Sequence, residues 1–393
     1  MIDFVFLKIN FKNILIKFIF LSFFKCLLYS IKSLLKTDFG LLKFRHEERK
    51  TDYQDKYNHL KYKYQSYSFL NSFLKEINLI SHDYTSKLKS DNKKVHIISN
   101  LDNKYFYPSI VSINSVLRNS NKNKTTIVYH ILFHEDLSRK KINKLKSLLL
   151  LYPTNLEMIF YNMGNLFSEY KGRRFNNVAF YRLLAPIFIP VEKIIYLDSD
   201  VLVFKDLEEM YNLDLKNNYI LGFLDILSNG VDYLGLKSEK YINSGVLLIN
   251  LDLIRKHQKY YEILYMYKNN KKLENNDQTI INYVFYPNIG ILPSKFGIFN
   301  FDSIIDIKYL YLKSIRQKIN FSELIEAFKH PFLMHYVLCN PKVWNSNTLF
   351  TRKQSRNGTI YKESCKKYNS IWMEYARNTT FFSEIIKYYR LKR

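Results

Sequence analysis

The sequence predicts an α/β fold built on a mixed, mainly parallel sheet. From residue 93 onwards, short apolar runs rich in β-branched residues alternate with segments of helical periodicity, as in a parallel sheet with helical crossovers. Several of these runs end in polar or acidic residues. Hydrophobic residues make up 47% of the 393 positions and charged residues 24%, so the chain can bury a large core.

Residues 1–92 are predicted to form a basic, aromatic-rich helical extension. Lysines interrupt the apolar residues of segment 1–36, and its longest uncharged run covers only residues 18–24. A membrane-spanning helix needs about 20 mostly apolar residues. The segment therefore fits a helix lying in a membrane interface or one packed on the domain, and a membrane anchor whose lysines extend to the interface is a third alternative.

The α/β domain is predicted over residues 93–345. Its first elements are strand 95–98, helix 108–119, strand 126–133, helix 138–151 and strand 156–161. Ser138 is the predicted N-cap of the second helix. Ligands of such sheets bind beyond the carboxyl ends of the strands, where Asp102 is expected.

An acidic turn, Asp198-Ser199-Asp200, separates two apolar runs in segment 193–206. In extended chain Asp198 and Asp200 point to the same side. Two carboxylates that close need a cation or a shared proton between them. Mg²⁺ and Mn²⁺ prefer such oxygen ligands. The tripeptide alone fits an ordinary Asp- and Ser-rich turn even better, so both interpretations stay open here.

Further polar residues lie next to apolar segments on both sides of this turn. A buried helix over residues 180–190 is predicted to carry Tyr181 and Arg182. Strand 219–224 ends at Asp225, and a flexible loop is predicted over 226–239. The remaining predictions are a turn at 243–245, strand 246–249, a helix opening at 276–278 with Asp277 as a possible cap, and an apolar stretch ending near His335.

The charge and cysteine content limit the classes of partner and site. The formal net charge of +25 favours anionic partners such as phosphorylated substrates or anionic lipid, and no familiar nucleic-acid-binding motif is present. The three cysteines are scattered and form no CxxC pair. This pattern argues against a disulfide framework or a zinc site and favours a reducing compartment.

One ordered set of motifs resembles a known family. The motifs are LDNKY (101–105), FYRLLAP (180–186), YLDSDVLV (196–203), FLD (223–225), NSGVLLIN (243–250), NDQTIIN (276–282) and MHYVLCNPKVW (334–344). Together they resemble the family 8 glycosyltransferases, the group that contains glycogenin and bacterial lipooligosaccharide galactosyltransferases. The resemblance implies a Rossmann-like GT-A fold, a UDP-sugar donor, Mn²⁺ or Mg²⁺, and transfer with retention of anomeric configuration.

The resemblance also implies roles for individual residues. The implied metal ligands are Asp198, Asp200 and His335. The implied nucleotide and donor-sugar contacts are Asn100 or Asp102, Tyr105, Tyr181, Arg182, Asp198, Ser199, Asn243 and Lys342. The implied catalytic residues are Asp225, Asp277 and Gln278, with Gln278 nearest the reacting carbon. A front-face displacement would need no protein nucleophile, whereas a double displacement would need one, and an amide is a poor candidate.

Residues 346–393 form a predicted basic, aromatic helical region. It fits either docking on an anionic membrane surface or packing against the domain. With the resemblance, this suggests a glycan or lipid-linked glycan acceptor. The expected location is the cytoplasmic, inner face of the bacterial plasma membrane, or the Golgi membrane if the protein is eukaryotic.

Two other classes of function compete with this interpretation. The DSDV tetrapeptide also resembles the nucleophile motif of haloacid-dehalogenase-like phosphohydrolases. Those enzymes need the aspartates directly after the first strand of the core, whereas three strand–helix units are predicted to precede them here. A non-catalytic basic protein that binds membrane or nucleic acid is the third hypothesis, and its binding would weaken steeply with salt.

Overall fold

The computed structural model describes most of the chain from residue 93 onwards. The described residues are 78–80, 93–121, 124–152, 155–169, 177–225, 240–269, 275–299, 311, 314–315, 319–337, 342, 344 and 360–389. The chain divides into two units, Met1–Lys61 and Tyr62–Arg393, and every described residue belongs to the second. The segment expected in the membrane interface (1–36) and the loop predicted over 226–239 lie outside the described residues. Among the described helices, none has the length and apolar character needed to cross a membrane.

The strands and helices follow one another along the chain. The strands are β1 (Asn78–Ile80), β2 (Lys93–Leu101), β3 (Thr125–Phe133), β4 (Leu156–Asn162), β5 (Lys193–Leu197), β6 (Val201–Val203), β7 (Ile220–Leu224), β8 (Ile242–Asn250), β9 (Ile289–Ile291), β10 (Ile298–Phe299) and β11 (Leu333–His335). The helices are α1 (Phe106–Asn119), α2 (Arg139–Leu151), α3 (Ala185–Phe188), α4 (Glu208–Tyr211), α5 (Leu251–Lys256), α6 (Tyr260–Asn269), α7 (Asn276–Phe285), α8 (Phe321–Lys329), α9 (Ile360–Arg377) and α10 (Phe382–Tyr389). In the part of the chain that the structure describes, 3₁₀ helices cover Asn177–Leu184 and Ser294–Phe296.

The main sheet has eight strands in the order β1-β4-β3-β2-β5-β8-β7-β9. Strands β4, β3, β2 and β5 run parallel, whereas β8 is antiparallel to both β5 and β7. Strand β1 pairs antiparallel with β4 at one edge, and β9 pairs parallel with β7 at the other. The predicted α/β fold with a mixed sheet is therefore confirmed.

Helices cover both faces of this sheet because its central strands are apolar on both sides. All nine residues of β3 are buried, as expected of a parallel strand between two helical layers. Neighbouring residues of β2 belong to different core clusters: Ile97 packs on one face of the sheet and Ile98 on the other. Helices α1, α2, α9 and α10 contribute to the first cluster, and α5, α6 and α7 to the second. Trp372 of α9 is 1% exposed, so this part of the C-terminal region packs against the domain.

A small second sheet brings a distant segment to the end of β5. Its strand order is β10-β11-β6, and β11 runs antiparallel to β6. In that register His335 lies opposite Val201, directly after the acidic turn. The turn and the late histidine, more than 130 positions apart in the sequence, thus become neighbours.

The predicted N-cap at Ser138 is confirmed, because its side chain accepts a hydrogen bond from the backbone N–H of Lys141. Several other local predictions need correction. The helix predicted over 180–190 is a 3₁₀ helix that starts at Asn177 and gives way to α3, in whose first turn Pro186 has no N–H to satisfy. The turn predicted at 243–245 is the interior of β8. The predicted cap role of Asp277 is wrong, because α7 begins one residue earlier and is preceded by Asn275. Residues 78–80, within the extension predicted to be helical, form strand β1.

Candidate active site

The acidic turn is held at the carboxyl end of β5 by backbone hydrogen bonds. The N–H of Asp198 donates to the carbonyl of Gly245 in β8 at 2.8 Å, and the N–H of Val201 donates to the carbonyl of Asp198 at 3.2 Å. The carbonyl of Asp200 accepts from Tyr336, just after β11, at 2.9 Å. The two carboxylates therefore have a backbone fixed from both neighbouring strands.

Asp198, Asp200 and His335 form a compact group of side chains that could hold a metal ion. One ligand atom from each lies within 4.8 Å of the others. His335 Nε2 is 3.1 Å from Asp200 Oδ1 and 3.5 Å from Asp198 Oδ2. Ligands at about 2.1 Å from one octahedral ion lie about 3.0 Å apart at right angles, so a single small ion fits these separations. Two carboxylates and one imidazole suit Mn²⁺ or Mg²⁺.

Gly245 makes this close approach possible. A Cβ at that position would lie 2.7 Å from Asp198 Oδ2 and would overlap His335 Cε1. The carboxylate and the imidazole thus occupy the space that any other residue would fill with its side chain. The glycine of the NSG motif serves packing, since it lies within a regular strand.

The other oxygen of each carboxylate faces a hydrogen-bond donor. Asp198 Oδ1 accepts from the hydroxyl of Tyr196 at 2.6 Å and from Arg182 Nη2 at 3.0 Å. Asp200 Oδ2 accepts from Lys342 Nζ at 2.5 Å. Burial alone would raise the pKa of Asp200, but Lys342 and His335 lower that pKa well below its ordinary value.

Arg182 is a buried cation beneath the acidic turn. Its guanidinium lies 3.6 Å from the centroid of the Tyr196 ring, and its Nε is 3.4 Å from Asp277 Oδ2. It also donates to the carbonyl of Ser244 in β8. Burial alone would lower the pKa of Arg182, but Asp277 and Asp198 raise it. Burial raises the pKa of Asp277 to about 6, although Arg182 opposes that shift.

Gln278 is held in one orientation by its neighbours. Its amide oxygen accepts from the backbone N–H of Ser244 at 3.1 Å and from Asn243 Nδ2 at 3.2 Å. Its amide nitrogen donates to Asp225 Oδ2 at 2.8 Å. Because a backbone N–H can only donate, the amide oxygen must face β8. The structure therefore groups the three predicted residues Asp225, Asn243 and Gln278.

The loop after β2 lies beside the acidic turn. Asp102 Oδ1 accepts from the N–H of Tyr105 at 2.8 Å, which shapes the loop before α1. The Tyr105 ring packs edge-on against Trp344 with centroids 6.1 Å apart. Ser199 Oγ donates to the carbonyl of Asn100 at 3.4 Å, so the end of β2 and the turn are linked. Asn100 Nδ2 donates to the carbonyl of Val178 at 2.8 Å.

One predicted site residue is placed differently from the others. Tyr181 has no exposed surface and belongs to the core cluster under the sheet. Its hydroxyl lies 3.5 Å from the carbonyl of Gly164, in the loop after β4. In this arrangement its side chain supports the fold and does not join the group around the acidic turn.

Two residues at the site, Tyr196 and Gly245, are missing from the sequence prediction. Tyr196 precedes Asp198 by two positions at the end of β5, so the period of two of a strand places both side chains on one side. That signal was available in the sequence. The contact of Gly245 with His335 joins β8 to β11, and no local pattern indicates it.

Comparison with known proteins follows the same region of the chain. The model of Glycosyl transferase family 8 matches residues 96–348. The lipopolysaccharide 1,2-glucosyltransferase of Escherichia coli is 28% identical over 226 residues, which cover 53% of this chain and 64% of that protein. Glycosyltransferase GlyE of Streptococcus pneumoniae serotype 4 is 27% identical over 225 residues, covering 54% and 46%. The chain thus spans between about half and two thirds of the length of these relatives.

Two solved structures share the fold. The bifunctional glycosyltransferase WbbM superposes with a TM-score of 0.60 at 22% identity, covering 76% of this chain and 52% of that one. The galactosyltransferase LgtC, in complex with donor and acceptor sugar analogues, superposes with a TM-score of 0.54 at 22% identity, covering 73% and 96%. The GT-A form of the predicted α/β fold is therefore confirmed.

Proposed function

This chain belongs to glycosyl transferase family 8, and from that premise we propose that it transfers a hexose from a UDP-sugar to a glycan or lipid-linked glycan with retention of anomeric configuration. The observation that carries the proposal is the group of Asp198, Asp200 and His335 at the carboxyl end of β5. This is the edge of an α/β sheet where ligands bind.

The residues around this group suit a nucleotide diphosphate. A bound Mn²⁺ or Mg²⁺, held by Asp198, Asp200 and His335, would neutralise negative charge on the diphosphate leaving group. Lys342, already paired with Asp200, supplies a positive charge at the same place. Arg182 is buried beneath the turn and orients Asp198. Asn100 at the end of β2, and Asp102 and Tyr105 in the loop that follows, are proposed to contact the nucleoside.

The orientation of Gln278 supports a reaction without a protein nucleophile at that residue. Its amide oxygen accepts from Ser244 and Asn243, and its nitrogen donates to Asp225. In the proposed transfer, the bond from the anomeric carbon to the diphosphate oxygen breaks while the acceptor hydroxyl oxygen bonds to that carbon. The acceptor proton passes to the departing phosphate. In this scheme Gln278, Asp225 and Asp277 position the donor sugar and stabilise its developing positive charge.

The chemistry of the acceptor is proposed from charge and from the relatives. The net charge of +25 favours an anionic membrane surface on which a lipid-linked glycan is presented. One relative is named a lipopolysaccharide glucosyltransferase. We place the protein on the inner face of a bacterial plasma membrane, with a catalytic domain over 93–345 and accessory regions over 1–92 and 346–393.

The test uses the purified full chain and a panel of UDP-sugars. UDP release is measured with Mn²⁺, with Mg²⁺ and with EDTA, for the wild type, Asp200→Asn and a control, Asp214→Asn. Asp214 is an exposed turn residue whose carboxylate accepts from the N–H of Lys216. We expect slow release from one or a few donors that requires metal, disappears in Asp200→Asn and persists in Asp214→Asn. Release that continues unchanged in EDTA and in Asp200→Asn would contradict the metal assignment.

The phosphohydrolase alternative finds no support in the topology. Asp198 follows β5, and β2, β3 and β4 with their helices precede it in the chain. The nucleophile of those phosphohydrolases would need to follow the first core strand. A purely electrostatic binding protein would show no binding of UDP that depends on metal, so the same experiment distinguishes it.

A further inference from the structure

The two carboxylates of the acidic turn are arranged in the same way. Each directs one oxygen towards His335, namely Asp198 Oδ2 and Asp200 Oδ1. Each directs its other oxygen towards donors on the opposite side, Tyr196 and Arg182 for Asp198 and Lys342 for Asp200. Asp198 Oδ2, Asp200 Oδ1 and His335 Nε2 therefore converge. The other carboxylate oxygens, Asp198 Oδ1 and Asp200 Oδ2, already accept hydrogen bonds.

From this arrangement we infer that Tyr196 is a positioning residue that restricts Asp198 to one metal-binding oxygen. The inference deepens the proposed function, on which it rests, and adds a residue that the motif comparison leaves without a role. The short hydrogen bond from the Tyr196 hydroxyl to Asp198 Oδ1, 2.6 Å long, fixes the rotation of that carboxylate.

Tyr196 is itself held rigidly. Its side chain is 1% exposed, so no water competes for the hydroxyl, and the Arg182 guanidinium covers its ring at 3.6 Å. The ring belongs to the core cluster beneath the sheet. Since Tyr196 and Asp198 lie two positions apart at the end of β5, the strand directs both side chains to the same face. A rigid donor is what a metal ligand needs to keep one orientation.

The orientation of Asp198 would affect how many coordination positions of a bound divalent ion the protein occupies. An octahedral ion has six positions, and a carboxylate that binds through both oxygens takes two of them. With Oδ1 engaged by Tyr196 and Arg182, Asp198 would offer the ion a single oxygen, Oδ2. The position that a second Asp198 oxygen would take would then stay open to a diphosphate oxygen or water. Without the Tyr196 hydroxyl, Asp198 Oδ1 would keep only Arg182 of these two donors, and the carboxylate could rotate more easily.

The experiment compares Tyr196→Phe with Tyr129→Phe. Tyr129 is also fully buried in a strand of the main sheet, and its hydroxyl contacts Ser99 Oγ at 3.1 Å and neither carboxylate of the acidic turn. Mn²⁺ binding is measured by electron paramagnetic resonance and calorimetry without nucleotide. UDP release is then measured as a function of Mn²⁺ concentration. Thermal unfolding monitors any effect of either variant on the fold.

We expect the Mn²⁺ dissociation constant of Tyr196→Phe to rise by about tenfold, the usual effect of losing a hydrogen bond to a metal ligand. Tyr129→Phe should bind Mn²⁺ as the wild type does. Excess Mn²⁺ should restore UDP release by Tyr196→Phe, because only the metal affinity is lowered. A merely structural role would lower the melting temperature and leave the dependence on Mn²⁺ unchanged.

Three results would contradict parts of this account separately. Tyr196→Phe that binds Mn²⁺ as tightly as the wild type overturns the inference and leaves the proposed function intact. A wild-type protein that shows the tenfold difference from Tyr196→Phe but releases UDP from no sugar overturns the proposed function alone. A wild-type protein that binds neither Mn²⁺ nor Mg²⁺ overturns the inference together with the metal part of the proposed function.

Discussion

A single methyl group at Gly245 is expected to separate the proposed metal ligands Asp198 and His335. A Cβ there would lie 2.7 Å from Asp198 Oδ2 and would overlap His335 Cε1. Neither neighbour can easily retreat. The His335 side chain is 3% exposed and its backbone pairs with β6. Asp198 is tied to Tyr196 at 2.6 Å. Gly245→Ala should therefore deform the site locally.

The size of the effect follows from these distances. To reach ordinary contact at about 3.4 Å, Asp198 Oδ2 must move by about 0.7 Å. Metal–ligand distances tolerate only about 0.2 Å. A misplacement of about 1 Å can cost about 100-fold in rate, which corresponds to about 2.7 kcal/mol. We expect a 10- to 100-fold increase in the Mn²⁺ dissociation constant and a similar loss in kcat/KM.

The assay needs a control with a comparable overlap elsewhere. Gly222 in β7 is suitable, because a Cβ there would lie 2.7 Å from Ile242 Cδ1 and 3.0 Å from Leu247 Cδ2, both apolar side-chain ends. Calorimetry with Mn²⁺ and UDP release are measured for Gly245→Ala and Gly222→Ala. The control should lose stability but keep its metal affinity. The reasoning is refuted if Gly245→Ala binds Mn²⁺ normally or if both variants weaken binding equally.

Two further predictions concern stability. Burial lowers the pKa of His96 to about 4 and that of His130 to about 3. Both imidazoles therefore stay neutral in the folded protein, whereas in the unfolded chain they take up protons below about pH 6.5. The free energy of unfolding therefore falls as the pH falls, by roughly 4 kcal/mol between pH 7 and pH 5 for the two histidines together. Urea unfolding of the double variant His96→Asn/His130→Asn should show a smaller loss. Trp372→Ala should cost about 3–5 kcal/mol because that side chain is fully buried, whereas Tyr388→Ala, at a position 51% exposed, should cost much less in thermal unfolding.

Most of the sheet could be predicted from the sequence because its strands are short, apolar and bounded by polar loops. The exceptions have local physical causes. Asn243 and Gly245 are typical of turns, but pairing with β5 and β7 draws them into β8. Asp277 resembles a helix cap, yet burial against Arg182 determines its position. Strand β1 is only three residues long and depends on β4 for its pairing.

The candidate site also contains residues that the sequence could identify and residues whose positions depend on pairing between distant segments. Asp198 and Asp200 could be identified as candidates from the sequence, but not for the reason assumed there: both lie in the turn between β5 and β6 and not in an extended strand. The position of His335 depends on the pairing of β11 with β6, which no local pattern indicates. The contact between Lys342 and Asp200 likewise joins segments far apart in the sequence. Only the order of the motifs, taken together, linked these residues before the structure did.

The central claim is that Asp198, Asp200 and His335 hold a divalent metal beside a nucleotide diphosphate. The most direct measurement is anomalous diffraction from crystals of the full chain grown with Mn²⁺ and UDP. The account predicts one manganese peak about 2.0–2.6 Å from Asp198 Oδ2, Asp200 Oδ1 and His335 Nε2, in contact with the diphosphate. Bound UDP with no manganese peak at these three atoms, or a peak elsewhere, would contradict it.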